Sequence, residues 1–320
     1  AAGHAAAASR GLASLAAPEF ETLRITQAAP HVAEIALNRP TKNNAMSKVF
    51  WTEIAEAFDW AAEMPELRAV SCGSQVWPAS ACAVGAEGAR RAALQILLTG
   101  GDARHFTSGI DLEDHVDLLA PPAEGAGEDT ARRAFELRRV VKRYQEGFTA
   151  IERCPKPVIA AVHGACIGGG VDMICAADVR LASSDAYFCV KEVAIGIAAD
   201  VGTLQRLPRV VGNDSWVREA CFTARNIPAH EAATQGLLSR VYTDKKAMMA
   251  GALETAQAIA AHSPVAVQGT KVNLNFSRGR TVSDGLEFQS AWNAAMLQTQ
   301  DMGESMTAAM TGKPARFSKL

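Results

Sequence analysis

The sequence predicts an α/β fold, and residues 158–182 carry the clearest signal. The run Val158–Val162 is apolar at every position, as in a strand that is covered on both faces of a layered sheet. Three consecutive glycines at 168–170 then precede a helical segment at 171–177 and a second strand at 179–182. Strand, glycine turn, helix and strand in this order are typical of an α/β unit.

Strand and helix patterns also alternate before this unit. Apolar side chains at every second position predict a strand over 33–37. Over 47–64 they recur every 3.6 residues, which predicts a helix with Ser47 as its N-cap. A strand is predicted at 94–99, and a later amphipathic helix carries an apolar stripe over 137–151.

The composition excludes several classes of protein. The chain has 320 residues, of which 48% are apolar, so it can form a sizeable core without disulfides or metals. Its 32 basic and 34 acidic side chains leave a net charge of −2, which lacks the positive excess that nucleic-acid binding requires. No apolar run reaches the roughly 18–20 residues that span a bilayer.

The cysteines and histidines predict neither disulfides nor a metal site. The seven cysteines are odd in number, form no C-x-x-C pair, and lie in several cases inside apolar stretches. This pattern predicts buried free thiols in a reducing compartment. The seven histidines do not cluster at ligand spacing, so we expect no bound metal.

We expect one core with additions. Residues 1–18 are almost all Ala, Ser and Gly, which predicts a disordered tail, although the composition also suits the remainder of a transit peptide. The core spans 19–212, and a stretch without periodicity at 71–91 predicts a surface insertion in it. Residues 213–320 are predicted to form a mostly helical C-terminal region. Within it, Lys271 is expected either to lie on a solvated face or to contact a phosphate-bearing ligand.

Two glycine turns are candidates for a site that binds a carbonyl oxygen. The glycines at 168–170 precede a helix, whose N-terminus presents unpaired N–H groups with a positive partial charge. The second turn, at 106–112, follows a strand. If both turns lie at one edge of the sheet, the amides of Ile110 and Gly169 can converge as an oxyanion hole. Tight turns without a ligand explain the same glycines, and Asp111 suits a helix cap equally well.

Three carboxylates follow apolar segments, where a solvated surface charge is not expected. Asp172 follows the glycine triplet, Glu192 follows the apolar run 186–190, and Asp200 closes the run 195–199. Burial raises the pKa of a carboxyl group, which then suits acid–base catalysis near neutral pH. A cap or a salt bridge explains any one of them, whereas three together beside an anion site favour catalysis.

These motifs together resemble the enoyl-CoA hydratase/isomerase (crotonase) superfamily from about residue 25 onward. The resemblance rests on Leu-Asn-Arg-Pro at 37–40 with Asn44-Ala45, the turn at 106–112, Pro-Lys-Pro-Val-Ile-Ala-Ala-Val-His-Gly at 155–164, and the three glycines. It implies a crotonase-like spiral of ββα units with a C-terminal helical region that builds a homo-trimer, commonly paired into a hexamer. It also implies an acyl-CoA thioester substrate and no cofactor, because coenzyme A is part of the substrate.

The resemblance further implies roles for individual residues. Ile110 and Gly169 supply the oxyanion-hole amides, and Asp172, Glu192 and Asp200 are the catalytic acids. The remaining substrate-binding residues lie on the same two turns, namely Ser108, Gly109, Asp111, Leu112 and Gly170.

Within the superfamily, three segments are similar to the dienoyl-CoA isomerases: Gly-Val-Asp at 170–172, Val-Lys-Glu-Val at 190–193, and Ala-Ala-Asp-Val-Gly-Thr-Leu-Gln-Arg-Leu at 198–207. Moving a 3,5-diene into 2,4 conjugation removes a proton at C2 and adds one at C6. We therefore expect Glu192 to act as the base and Asp200 as the acid. Asp172 would tune Glu192 or hold its proton, since close carboxylates titrate as a coupled set.

Two other functions remain open at this stage. In an enoyl-CoA hydratase, carboxylates at the Asp172 and Glu192 positions hold a water, but family hydratases usually carry glutamate at the first position and glycine at the position of Asp200. A catalytically silent scaffold would use the insertion at 71–91 to recruit a partner, but it would not need three acids.

The last three residues, Ser318-Lys319-Leu320, match the address that a peroxisomal import receptor reads at a free C-terminus. We therefore expect a peroxisome or a related organelle of the glycosome type, with mitochondrial targeting left open.

Overall fold

The computed structural model describes residues 17–29, 31–64, 95–119 and 129–318. Three sequence-based predictions fall wholly or mainly outside these residues: the tail at 1–18 except its last two residues, the insertion at 71–91, and Lys319 and Leu320 of the C-terminal tripeptide.

The described residues form short strands and helices in alternation. The strands are β1 Leu23–Ala29, β2 Val32–Leu37, β3 Gln95–Thr99, β4 Val158–Val162, β5 Ala165–Ile167, β6 Val179–Ser183, β7 Tyr187–Cys189, β8 Ile227–Pro228 and β9 Arg240–Tyr242. The helices are α1 Phe50–Glu63, α2 Val116–Leu119, α3 Thr130–Arg153, α4 Gly169–Ala176, α5 Thr203–Val211, α6 Asp214–Thr223, α7 Ala229–Thr234, α8 Lys245–Ala260, α9 Pro264–Ser277, α10 Val282–Met296 and α11 Gln300–Thr311. Two 3₁₀ helices lie at Pro40–Lys42 and Glu192–Ile195.

The central sheet has six strands in the order β1-β2-β3-β4-β6-β9. β1 pairs antiparallel with β2, and every other neighbouring pair is parallel. A smaller sheet has the order β5-β7-β8. Because β3 and β4 are parallel neighbours, their carboxyl ends leave the same edge of the sheet. The predicted α/β class is confirmed, and this edge is where the two glycine turns begin.

Both faces of the central sheet are covered, which explains why its strands are continuous apolar runs. On one face Leu98 and Val162 belong to the core cluster that includes residues of α1, α3 and α4. On the other face Leu97 and Ile159 lie in a second cluster with Met248 of α8. The strand β4 is therefore buried on both sides, as its sequence predicts.

Helix α1 begins later than its periodicity predicts, and Ser47 is not its cap. Val49 occupies the N-cap position and contributes no side-chain hydrogen bond. The reason lies just upstream, where Met46 forms a parallel bridge with Ile110 and holds the chain extended before the helix starts. The hydroxyl of Ser47 is buried and has no partner among the described residues.

Lys271 is buried, so the prediction that it lies on a solvated face was wrong. Its Nζ lies 2.6 Å from Asp178 Oδ2 and donates to the carbonyl of Lys156 at 3.1 Å. The side chain is 4% exposed, and it links α9 to the residues that precede β4 and β6. A ligand phosphate is not the partner of this lysine.

No helix in the described part of the chain is long and apolar enough to cross a membrane.

Glu53 joins α1 to the start of β1. Its Oε1 accepts from the backbone N–H of Glu21 at 2.7 Å, and its Oε2 accepts from the backbone N–H of Thr22 at 2.8 Å. The Thr22 hydroxyl donates to the same oxygen at 2.5 Å. The carboxylate thus satisfies three donors where the first strand enters the sheet.

We expect Glu53→Ala to lower the free energy of unfolding by about 2 kcal/mol, because it leaves buried donors without an acceptor. Urea unfolding of the whole chain measures the change. Glu56→Ala is the matched control, since Glu56 lies on the same helix and is exposed. Equal stability of the two variants would contradict the assigned role of Glu53.

Candidate active site

Two chain segments that leave β3 and β4 meet at the carboxyl edge of the central sheet. The backbone N–H of Thr107 donates to Ala165 O at 3.0 Å, and the N–H of Ile167 donates to Thr107 O at 3.2 Å. This parallel bridge places the turn after Thr107 beside the turn that starts α4.

The contact between the two turns requires glycine. Gly109 has a φ of +90°, and a Cβ there would lie 3.0 Å from the carbonyl oxygen of Ile167. Gly168 has a φ of +54°, and its Cβ position is 4.0 Å from Gly109 Cα. The two turns therefore lie close together, and a side chain on Gly109 would crowd the carbonyl of Ile167.

Two unpaired backbone amides follow this contact. On either side of Ile110 the backbone is paired, since Met46 N donates to Gly109 O at 2.8 Å and Asp111 N donates to Met46 O at 2.9 Å. The N–H of Ile110 itself donates to no acceptor in the described residues. Gly169 is the first residue of α4, so its N–H has no acceptor one turn back in the helix. Both amides are therefore available as donors to a ligand.

The other two glycines of the triplet pack against side chains. A Cβ on Gly169 would lie 3.2 Å from Met46 Sδ, and one on Gly170 would lie 2.4 Å from Thr107 Cγ2. The first two residues of α4 therefore pack against Met46 and Thr107 through backbone atoms alone.

Asp172 lies in the first turn of α4 and is fully buried. Its Oδ1 accepts from the backbone N–H of Thr203, the first residue of α5, at 2.5 Å. Its Oδ2 has no partner among the described residues. Burial raises the pKa of Asp172 to about 6, although the hydrogen bond from Thr203 favours the charged form. One oxygen is thus held in place and the other can carry a proton.

Glu192 lies against the glycine turn. Its Oε1 is 3.3 Å from the Cβ position of Gly168, the residue before the amide of Gly169. Its Oε2 is buried and has no partner in the described part of the chain. Burial, and then the negative charge of Asp172, raise the pKa of Glu192 to about 7. The pKa of this carboxyl group, beside the amide of Gly169, is therefore raised toward the neutral range.

Asp200 lies at the exposed end of this acid cluster, three residues before α5. Its carbonyl oxygen accepts from Gln145 Nε2 on α3 at 2.7 Å, which fixes the backbone. The residue is exposed, yet surrounding atoms remove enough water from the carboxyl group to raise the pKa of Asp200. Its charge also raises the pKa values of Asp172 and Glu192, so the three acids titrate as a coupled set.

The remaining predicted residues lie on the turn that carries Ile110. Ser108 N donates to the carbonyl of Asn43 at 3.0 Å, and the side chain of Leu112 is exposed. Asp111 is buried and its carboxylate contacts Arg39, with 2.8 Å between Oδ2 and Nη1. The side chain of Asp111 is therefore engaged within the protein.

Sequence reasoning missed the structural part played by Asn44. Its buried Nδ2 donates to the carbonyls of Gly100 at 2.9 Å and Phe106 at 3.0 Å, and its Oδ1 accepts from Arg39 N at 2.9 Å. It has a φ of +55° and follows Asn43, which also has a positive φ. Two adjacent asparagines in a tight turn are a recognisable signal, because asparagine tolerates this conformation.

Within residues 17–29, 31–64, 95–119 and 129–318, no group of three or more His, Cys, Asp or Glu side chains could hold a metal ion. The site consists of backbone amides and carboxylates.

Amides without acceptors at a helix start, beside buried carboxylates on an α/β core, match what the sequence-based resemblance to the crotonases implies. The chain belongs to the enoyl-CoA hydratase/isomerase family, whose profile matches residues 89–318. The recognition of this superfamily from the motifs is confirmed.

Two curated proteins and one solved structure show which members of the family this chain is similar to. The mitochondrial Δ(3,5)-Δ(2,4)-dienoyl-CoA isomerase of Rattus norvegicus is 47% identical over 94% of this chain and 84% of its own length. The peroxisomal Δ(3,5)-Δ(2,4)-dienoyl-CoA isomerase of Arabidopsis thaliana is 38% identical over 90% of this chain and 93% of its own length. A Thermobifida fusca YX protein, solved in complex with acetoacetyl-CoA, is 29% identical and has a TM-score of 0.67 over 86% of this chain and 94% of its own. The expected crotonase-like fold is confirmed.

We expect Asp172→Asn to lower the pKa of Glu192 below about 7, because it removes a negative charge that disfavours ionisation of the glutamate. Titration of the Glu192 carboxyl carbon by NMR, without substrate, measures the change. Asp102→Asn, which alters an exposed ion pair with Arg24, is the control and should leave Glu192 unchanged. An unchanged or raised pKa in Asp172→Asn would show that the two carboxylates are not coupled.

Proposed function

We propose that this chain is an isomerase that converts 3,5-dienoyl-CoA to 2,4-dienoyl-CoA in fatty acid β-oxidation. The observation that carries the proposal is the coupled set Asp172, Glu192 and Asp200 beside two amides that have no acceptor among the described residues. The names of the similar proteins from Rattus norvegicus and Arabidopsis thaliana support the same activity.

The reaction needs a site that stabilises a dienolate. Removal of a proton at C2 transfers the electron pair into the conjugated system, and negative charge develops on the thioester oxygen. The amides of Ile110 and Gly169 donate to that oxygen in a partly dry site. Loss of one such donor typically costs about 3–4 kcal/mol of transition-state stabilisation.

Glu192 is positioned to act as the base at C2. C2 is bonded to the thioester carbonyl carbon, whose oxygen is held at the amides of Ile110 and Gly169. The Glu192 Oε1 lies 3.3 Å from the Cβ position of Gly168, next to one of those amides, which would place it near C2 of a bound substrate. With a pKa of about 7 it is deprotonated often enough to accept a proton, and basic enough to remove one.

Asp200 supplies the second proton transfer, at C6. It must start protonated, donate to C6, and end as the carboxylate, while Glu192 ends protonated. The raised pKa of Asp200 favours this starting state, and its exposure lets it recover a proton from water. Asp172 touches neither end of the diene in this scheme. Its negative charge keeps the pKa of Glu192 high enough for the glutamate to be an effective base.

The chemistry requires no cofactor beyond the coenzyme A of the substrate. The substrate and product differ only in the positions of two double bonds and two protons, so no electrons are lost or gained. Two carboxylates and two backbone donors account for every proton and charge that moves.

We also propose that the chain assembles into a homo-trimer or a pair of trimers. The C-terminal helices expose large apolar side chains in the single chain, which an oligomer would cover. The exposed residues are Leu274, Val282, Leu286, Leu297 and Met310.

We place the enzyme in a peroxisome or a related organelle, with a peroxisomal import receptor as partner. The support is the tripeptide Ser318-Lys319-Leu320, of which only Ser318 is a described residue. Similar proteins carry both peroxisomal and mitochondrial names, so mitochondrial import is the competing destination.

We expect Asp200→Asn to bind acyl-CoA thioesters normally while its isomerisation of 3,5-dienoyl-CoA falls by at least about 100-fold, the scale of a lost acid–base group. Turnover is followed by the absorbance of the 2,4-diene, and binding by calorimetry. Hydration of a 2-enoyl-CoA is assayed on the same wild-type preparation. Hydration faster than isomerisation would overturn the proposed function, and undiminished turnover in Asp200→Asn would remove Asp200 from the mechanism.

We expect Glu192→Gln to abolish exchange of the C2 protons with deuterated water, because glutamine cannot accept a proton. Mass spectrometry of recovered 3,5-dienoyl-CoA measures the exchange. Asp200→Asn is the comparison, since it should retain exchange at C2 while failing to protonate C6. Full exchange in Glu192→Gln would identify a different base.

A further inference from the structure

A buried ion pair lies directly behind the turn that carries Ile110. Arg39 Nη1 donates to Asp111 Oδ2 at 2.8 Å, and the two side chains are 22% and 8% exposed. Burial alone would raise the pKa of Asp111, but the hydrogen bond and charge of Arg39 outweigh it and lower the pKa. The pair is therefore charged throughout the neutral range, and neither partner takes part in the proton transfers described above.

Arg39 also donates to the extended segment at residues 45–46, which pairs with this turn. The same Nη1 donates to the carbonyl of Ala45 at 2.5 Å. The next residue, Met46, forms both backbone hydrogen bonds that flank Ile110, one to Gly109 and one from Asp111. One guanidinium thus links both sides of the bridge that fixes the peptide planes before and after the Ile110 amide.

A second set of contacts holds the same turn from its other end. The carbonyl of Asp111 lies 2.8 Å from Nδ1 of the fully buried His115, whose Nε2 lies 3.1 Å from the hydroxyl of Tyr144 on α3. Tyr144 stacks on Trp51 with 4.4 Å between ring centroids. The indole of Trp51 lies 3.6 Å from the Cβ position of Gly169. The side chains that hold the turn of Ile110 therefore reach, through Trp51, the residue that carries the second amide, Gly169.

We propose that Arg39 and Asp111 are positioning residues that set the direction of the Ile110 N–H toward the thioester oxygen. The proposal deepens the proposed function and rests on it for the rate effects. The side chain of Asp111 contacts Arg39, so it acts through the backbone of the turn. A donor that is preorganised costs no reorganisation when the oxygen becomes charged, and a small misalignment weakens it mainly in the transition state.

The decisive variant is Asp111→Asn, which keeps the shape of the side chain and removes the charge of the pair. We expect kcat for dienoyl-CoA isomerisation to fall about 10-fold to 100-fold, with KM within about twofold of the wild-type value. Glu113→Gln is the matched control. It breaks the ion pair between Lys42 and Glu113, which joins the same two segments but is exposed to solvent.

A spectroscopic measurement separates positioning from a general loss of structure. Octanoyl-CoA labelled with carbon-13 at the thioester carbonyl is bound to each protein, and its carbonyl resonance is compared with that in water. Donors at the oxygen move this resonance downfield. We expect a smaller displacement in Asp111→Asn than in wild type, and the wild-type displacement in Glu113→Gln. This saturated probe is not a substrate for isomerisation, so the reading does not depend on the proposed reaction.

The outcomes distinguish the two proposals. A wild-type protein that displaces the carbonyl resonance but does not isomerise 3,5-dienoyl-CoA would overturn the proposed function. The positioning role would then be decided by the carbonyl resonance in Asp111→Asn alone. A wild-type displacement and an undiminished kcat in Asp111→Asn would overturn the positioning role. If Asp111→Asn does not fold, Arg39→Lys takes its place, since lysine keeps the charge but cannot reproduce the guanidinium geometry. An unchanged displacement in Arg39→Lys would overturn the role equally.

Discussion

The close approach of Gly109 to the carbonyl of Ile167, just before Gly168, is the constraint on which the rest of this site depends. Both residues have positive φ, and a Cβ on Gly109 would lie 3.0 Å from the carbonyl of Ile167. Because the bridge between Thr107 and Cys166 pairs the two segments, the amides of Ile110 and Gly169 lie on adjoining turns. An oxyanion hole made of backbone requires this proximity, since a main-chain N–H cannot extend toward a ligand as a side chain can.

The acid cluster depends on the same helix start. Asp172 lies in the first turn of α4, and Glu192 lies against Gly168, so both carboxylates are positioned by the glycine segment. Their raised pKa values lower stability. A carboxyl group whose pKa is higher in the folded than in the unfolded chain binds its proton more tightly when folded. Its contribution to the free energy of unfolding therefore declines as the pH rises from about 4 toward 7. The surrounding core offsets this cost.

The parts of the fold that sequence reasoning predicted well are those with strong local signals. The apolar run of β4, the glycine triplet and the following helix and strand all lie where their patterns indicate, because a strand covered on both faces can be recognised from its sequence alone. Ser47 failed as a helix cap because a long-range bridge between Met46 and Ile110 delays the helix. Lys271 was mistaken for a surface charge because its partner, Asp178, is distant in sequence and gives no local signal.

For this protein, the sequence by itself determined the family, the residue types of the site and the α/β class. These follow from local patterns: apolar runs, glycines at a helix start, and acids that follow apolar segments. Only the tertiary structure decided which of those residues meet and in what state. It brought Gly109 close to Gly168, left the amides of Ile110 and Gly169 without an acceptor in the described part of the chain, and buried Asp172 and Glu192. It also turned Asp111 toward Arg39, 72 residues away. Proximity across such separations arises from strand order and packing, and burial and charge coupling exist only once the segments are packed.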